Sequence, residues 1–327
     1  MGVNMKKSDR SFYIFRLLLI VCTVVLFSAC DSREFSNIEE VDTNEVLSDV
    51  AVKKELDGQK YEERDVLYFG FDLRSSPQED IKQYRPFLDY LQEETGYRFK
   101  LHFNAKGDAT YKDLATDHVQ FAAIGAMGFL LAKSHANLTP IVRGLNNDKK
   151  AVYQSVFVTS PKSNIKKIED IKGTKMAFGS KSSTQGHLIP RIILEKHGIQ
   201  LKDLELYSYT GSHQKCAEAV ISKKADVCGM QDQLAKKLVK EGLVKIVHSS
   251  AYYPSSGIVV NEFVPKNIVN KVTQALLNFE PEGKDGSNLY HWERTEMAKG
   301  FVEADEKDYQ ELKKWATKLG FLHVHRK

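Results

Sequence analysis

TKMAFGS, residues 174–180, runs almost directly into SSTQGHLIPR, residues 182–191: a short apolar strand pattern, then small and hydroxyl side chains, then an apolar, helix-like run. The first turn of a helix holds backbone N–H groups with no partner inside the helix and lies at the positive end of the macrodipole. An anion fits there. Ser182, Ser183 and Thr184 add hydroxyl donors, Gly186 lets a ligand approach the backbone, and the preceding strand aims the turn at a cleft. The same residues read with equal weight as a simple helix cap by Ser182 or Ser183. Pro190 has no N–H for the carbonyl of Gly186, so a bend is expected at that point.

The strand-to-helix order extends both ways along the chain. Upstream lie VLYFGF (66–71), EDIKQYRPFLDYLQEET (79–95), YRFKLHF (97–103), VQFAAIG (119–125) and YQSVFVT (153–159); downstream lie LELYSYT (204–210), HQKCAEAVISKK (213–224), ADVCGM (225–230) and LVKIVHSS (243–250). Short apolar runs alternating with amphipathic ones give βαβ units and an α/β fold. The second set repeats the first, so two lobes are expected, each a mostly parallel sheet flanked by helices. SGIVVNEFV (256–264), PKNIVNKVTQALLNF (265–279) and YQELKKWATKLG (309–320) need a home, and the simplest placement returns them to the first lobe. That gives residues 65–155 plus 255–327 as lobe 1, 156–254 as lobe 2, and a hinge of two crossings near Gln154–Thr159 and Tyr252–Gly257. Ligands in such sheets bind beyond the carboxyl ends of the strands. The turns that matter are then Asp72–Ser76, Ile124–Met127, Gly179–Gly186, Thr210–His213 and Met230–Asp232.

At the amino end, Lys6, Lys7, Arg10 and Arg16 precede the apolar run Leu17–Phe27 and then Ser28, Ala29 and Cys30. This basic, apolar, small-residue order is that of a secretory signal over residues 1–29, too short to stay as a span. Phe27–Cys30 resembles the lipobox of bacterial lipoproteins, with phenylalanine where leucine is usual; it implies cleavage before Cys30 and a diacylated thiol. Asp31 behind it resembles an inner-membrane retention signal in a Gram-negative host, whereas a Gram-positive host would carry the chain as a cell-surface lipoprotein. Residues 30–64 are polar and acidic, a flexible tether. Most of the net charge of +4 leaves with the leader, which removes any nucleic-acid-binding balance. From Asp65 about 260 residues remain, enough for one large or two ordinary α/β domains. Cys216 and Cys228 read as small buried hydrophobes, with a bridge as the alternative in an oxidising compartment. No metal motif and no cofactor is expected.

The run FGFDLRSSPQEDIKQYRPFLDYLQEETG, the run FAAIGAMGFLLA, the span from VYQSVFVTS to SSTQGHLIPR, and TGSHQKCAEAVISKKADV together resemble the phosphate, phosphite and phosphonate substrate-binding proteins of bacterial ABC importers. The resemblance covers about residues 65 to 280. It implies a two-lobed periplasmic binding protein type II fold that closes on a small oxyanion and delivers it to a permease and ATPase, acting as a monomer. By position, it implies that Ser182, Ser183 and Thr184 give donors to the phosphoryl or phosphonyl oxygens, that His213 completes the cradle, and that Tyr153 lines it. Arg74 stands where relatives often have tyrosine, and Ile124 where an aromatic commonly precedes the glycine. Asp232 matches a carboxylate that meets a ligand amine, while Ser256 stands where a second one is expected. An uncharged or small-tailed ligand therefore fits better than an aminophosphonate.

Bland readings stand beside these. His187 packs or caps rather than faces the anion; Asp232 divides evenly between helix cap and ligand contact; Trp292 and Trp315 read as packing residues. A bulky apolar residue at Thr184 is expected to block the anion without touching the core. A sensing lipoprotein of the same fold, reporting to a signalling partner, is the main alternative to transport. A hydrolase using Ser183 or Thr184 with His213 lacks a third orienting group and any nucleophile-elbow motif.

Overall fold

The computed structural model describes residues 66–72, 77–103 and 110–322. Arg74, Cys30 and the leader and tether lie outside the described residues. The first run is β1 (Leu67–Phe71), α1 (Pro77–Thr95), β2 (Phe99–His102), α2 (Thr110–Ala115), β3 (Phe121–Ile124), α3 (Ala126–Lys133) and β4 (Leu138–Gly144). After β5 (Val152–Tyr153) come β6 (Ser155–Thr159), β7 (Lys175–Phe178), a wide π-helical turn Thr184–Leu188 leading into α4 (Ile189–Lys196), β8 (Leu206–Tyr209), α5 (His213–Ile221), β9 (Val227–Gln231), α6 (Asp232–Lys240) and β10 (Lys245–Ser249). The chain then passes through β11 (Tyr253–Pro254) to β12 (Gly257–Asn261), α7 (Lys266–Leu277), β13 (Phe301–Glu303) and α8 (Gln310–Lys318).

These elements form a six-stranded sheet in the order β13-β4-β12-β3-β1-β2, a five-stranded sheet β10-β6-β9-β7-β8, and a short ladder β11-β5 between the two crossings. β1, β2 and β3 run parallel, as do β7, β8 and β9. β12 enters between β3 and β4 antiparallel to both, and β6 pairs antiparallel with β9 and β10. Both sheets are therefore more mixed in pairing than strand-helix alternation alone predicts. The reason is the crossing: a strand arriving from the ladder starts at the edge where its neighbours end, so Ser155 sits opposite Gln231 and Gly257 opposite Ile124.

The central strands are buried on both faces, which is why they read as near-continuous apolar runs. β12 and β6 are buried along their whole length, whereas the edge strand β8 is mostly exposed. α1 buries Tyr84, Phe87, Leu88 and Leu91 at helical spacing, and Phe71, Phe87, Phe279 and Trp292 make a contiguous aromatic layer beneath it. Trp292 lies on a short 3-10 turn, buried, with its indole N–H donating to the Met297 carbonyl at 2.9 Å.

Two expectations change. α8 does more than return to the first sheet: Tyr309, at its start, packs on Phe129 of α3, while Trp315 lies under Lys196 and Lys318 pairs with Glu195 at 3.2 Å, both of α4. Cys216 and Cys228 are not separate hydrophobes; they form a disulfide with Cα atoms 5.8 Å apart. α5 packs directly on β9, and that contact brings two cysteines of different elements within bridging reach.

Candidate functional site

Four strand ends and the two crossings converge on a cavity of about 40 Å³, lined by Asp72 beyond β1, Gly125 beyond β3, Ser180 and Ser182–Gln185 beyond β7, Gly211–His213 beyond β8, and by Tyr153 and Ser256 from the crossings. One water needs roughly 10–15 Å³, so the space holds about three or four water-sized groups and suits a small oxyanion.

Three helix starts meet here. α3 begins after Gly125, α5 after Ser212, and the π turn leading into α4 after Ser183. All three starts line the cavity, so their partial positive charges meet where an anion is stabilised. Ser212 Oγ accepts from the Lys215 N–H at 3.2 Å and Ser183 Oγ from the Gly186 N–H at 2.9 Å. Ser183 is thus a cap and a lining residue at once, and the two readings of its sequence motif do not exclude each other.

The wide turn follows from Pro190. With no N–H at that residue, the carbonyls before it find other donors: Gly186 accepts from the Gly179 N–H at 2.9 Å and Gln185 from the Ser155 hydroxyl at 2.6 Å. The expected bend appears as this π turn, stitched to the ends of β7 and β6.

Thr184 reaches farther than its motif suggests. It is 4 % exposed, and its Oγ1 accepts from the Met127 N–H at 2.8 Å, so it caps α3, whose own cap residue, Gly125, has no side chain to do so. A Cβ at Gly125 would sit 2.8 Å from that oxygen. The expectation that a bulky residue at Thr184 leaves the rest of the protein untouched is therefore corrected, because the side chain is buried and closes a helix end.

Gly186 differs from its expected role. A Cβ there would meet Ser183 Oγ at 2.9 Å and His213 Cε1 at 3.0 Å, so the glycine admits the imidazole ring rather than lining the cavity itself. His213 is buried, and its Nδ1 faces the Gln231 N–H at 3.4 Å, which leaves the ring proton on Nε2 as a donor. His187 belongs to an aromatic cluster: Nδ1 donates to the Lys181 carbonyl at 2.9 Å, Nε2 accepts from the Tyr209 hydroxyl at 3.1 Å, and Phe178 and Phe321 pack on the ring.

Asp232 is placed beside the cavity, not in it. The cap position of α6 is Gln231; Asp232 is the first helical residue, and its carboxylate pairs with Lys236 at 2.9 Å. It lines a larger cleft of about 770 Å³, together with Gln83, Asn146, Gln214, Gln231 and Tyr290. The two linings meet where the Gln231 N–H of the larger cleft faces His213 Nδ1 of the small cavity. Of the residues that the motif missed, Asp72 and Gly125 fall in turns the strand-end rule points to. Ser256, which the resemblance set at a ligand-contact position, arrives from a crossing 74 positions beyond Ser182 in the sequence, which no local pattern reveals.

Comparison with known proteins decides the family. Residues 69–309 match the model of the periplasmic substrate-binding proteins of phosphonate ABC transporters. The chain belongs to that family. Within it, the chain is 25 % identical over 322 residues to a probable ABC transporter phosphite binding protein PhnD1 of Prochlorococcus marinus strain MIT 9301, covering 92 % of this chain and 96 % of that one. It is 22 % identical over 227 residues to the phosphate-import protein PhnD of Mycolicibacterium smegmatis, covering 62 % and 71 % respectively. The solved structure of the Prochlorococcus PhnD1 with methylphosphonate matches the fold with a TM-score of 0.70 at 21 % identity, over 79 % of this chain and 99 % of that one. Phosphonate-binding proteins of this family are transport components and work in the periplasm, and the fold is their two-sheet, periplasmic binding protein type II fold.

Proposed function

We propose that this member of the phosphonate-binding family is the solute receptor of an importer, capturing a phosphonate, phosphite or phosphate-like oxyanion in the small cavity and handing it to a permease driven by its ATPase. The cavity carries the reading: three helix starts and a ring of hydroxyls enclose a space of about 40 Å³, which matches a tetrahedral ion. The relatives add to it, since one is described as binding phosphite, another as importing phosphate, and a solved structure holds methylphosphonate. Neutral donors satisfy the ligand's oxygens without the hold of a full counter-charge, which favours release to the permease. The adjoining larger cleft gives an uncharged tail somewhere to lie, with Asp232 already paired to Lys236.

Lobe 1, residues 65–155 plus 255–327, and lobe 2, residues 156–254, close on the ligand about the β5–β11 ladder. Cys30 anchors the chain to the inner membrane through its lipid, residues 30–64 serve as a tether, and the receptor works as a monomer. It performs no chemistry on its ligand: the Ser183 and Thr184 hydroxyls accept from backbone amides of Gly186 and Met127, an arrangement that caps helices rather than activates a nucleophile.

The test is an equilibrium titration of the full chain in detergent with phosphate, phosphite, methylphosphonate and longer alkylphosphonates. At least one is expected to bind with a micromolar or lower Kd and to be recovered intact. Binding of none of them contradicts the reading.

A further inference from the structure

The charge of the chain is unevenly placed. Residues 156–254 hold 16 Lys and Arg against nine Asp and Glu, in a chain whose total is +4, so the remainder is net acidic. Much of the excess gathers at one end of the five-stranded sheet. β7, β8 and β9 run parallel, and β10 runs with them because both it and β9 pair antiparallel with β6. The small cavity lies beyond the carboxyl ends of β7 and β8, so the turns that enter the four strands lie at the opposite end. Those turns carry Lys166, Lys167, Lys202, Lys223, Lys224 and Lys240, all exposed.

Two features set this end apart from an ordinary solvated face. Its carboxylates are turned to partners within the protein. Asp170 accepts from the Lys166 and Lys167 N–H groups at 2.9 and 3.2 Å, Asp203 from the Gln200 N–H at 2.8 Å, and Asp226 from the Lys175 N–H at 2.8 Å. Glu169 pairs with His197 at 3.0 Å, Glu205 with Lys175 at 3.3 Å and Glu241 with Lys237 at 3.9 Å. None of the six lysine ammonium groups is in an ion pair with a described residue. The second feature is apolar: Leu206, Ile221, Val239 and Leu243 are exposed at the same ends of β8, α5 and α6, next in sequence to these lysines. Aliphatic side chains flanked by basic ones suit an anionic bilayer, where the former enter the headgroup boundary and the ammonium groups meet lipid phosphates.

We propose that this end of the five-stranded sheet is a docking surface for an anionic phospholipid bilayer. The lysines come from the turns before four different strands, and neither cavity reaches them, so the face fits a laterally continuous negative surface better than a single acidic peptide. Seated this way, the chain turns the carboxyl ends of β7 and β8, and the cavity beyond them, away from the membrane. No residue of either cavity takes part, so the inference stands apart from which solute the protein binds.

The test is amine-reactive footprinting of the full chain, read by mass spectrometry, with vesicles of phosphatidylcholine alone or with about one-third phosphatidylglycerol. Modification of the six lysines should slow on the anionic vesicles only, while Lys82 on α1 and Lys271 on α7 react as before. The protection should vanish at about 0.5 M salt, where the screening length falls to roughly 4 Å. Each lysine at such a surface favours the bound state about fivefold, so Lys202→Gln, Lys224→Gln, Lys240→Gln together should weaken it roughly a hundredfold. Protection of Lys166, Lys167 and Lys223 should disappear with them. Because every lysine is compared between two vesicle types in one chain, a lipid or leader that holds the protein to both leaves the contrast readable. Equal modification on the two vesicle types, protection centred on Lys82 and Lys271, protection by soluble polyglutamate but not by vesicles, or a triple variant protected like wild type each overturns the proposal.

Discussion

Thr184 shows how one side chain serves both helix and cavity. Its hydroxyl closes the start of α3 from a residue 57 positions away, in the turn after β7, and the same residue lines the anion space. Thr184→Val keeps the shape and removes the acceptor. Loss of the cap should cost about 1–2 kcal/mol, read as a lower denaturant midpoint. Methylphosphonate affinity should fall by about tenfold or more, the worth of a hydrogen bond to a charged ligand. Thr184→Ser, which retains the hydroxyl, should restore most of both. A valine variant with unchanged affinity would place the anion elsewhere. Ser182, Ser183 and Thr184 were legible as a hydroxyl cluster because a short run of such residues ahead of an apolar helix is a local pattern. The reach of Thr184 to Met127, and the placing of the His213 ring over Gly186, depend on which turns the fold brings together, and no local spacing encodes that.

At the scale of elements, the strand ends do the positioning, and the disulfide ties two of the elements that follow them. Cys216 on α5 joins Cys228 on β9, so the helix that starts with His213 is fixed to the strand that ends at Gln231. Closing a loop of 12 positions restricts the unfolded chain enough to stabilise the protein by about 3 kcal/mol. The double substitution Cys216→Ser, Cys228→Ser should therefore lower stability by about that amount in a denaturant titration, whereas reductant should leave the stability of the doubly substituted chain unchanged. Elements themselves were legible: the runs at β3 and β6, and β1 apart from the exposed Tyr68, are apolar because both faces of those strands are covered, and Pro190 announced a break that the structure realises as a π turn. The bridge was not legible, because helix and strand periodicity say nothing about the 5.8 Å between two Cα atoms.

For the whole molecule, the two-sheet order was readable from the repeat of strand and helix, but the antiparallel entry of β6 and β12 was not, since it follows from the direction in which each crossing meets its sheet. That entry matters for function. It sets Tyr153 and Ser256 against the ends of the parallel strands, so the crossings themselves line the cavity. Behind the ladder, α8 rests on both α3 and α4, whose starts face the same space, which makes it a brace shared by the two halves. The central claim is that main-chain donors at three helix starts, backed by hydroxyls, hold a small tetrahedral anion. Crystal structures of the protein without ligand and with methylphosphonate test it most directly. The account predicts a phosphonyl group within hydrogen-bonding distance of the Ser183 and Thr184 turn and of His213 Nε2. Density for the anion elsewhere, with Thr184 still bonded to the Met127 N–H and the cavity unchanged in both structures, would contradict it.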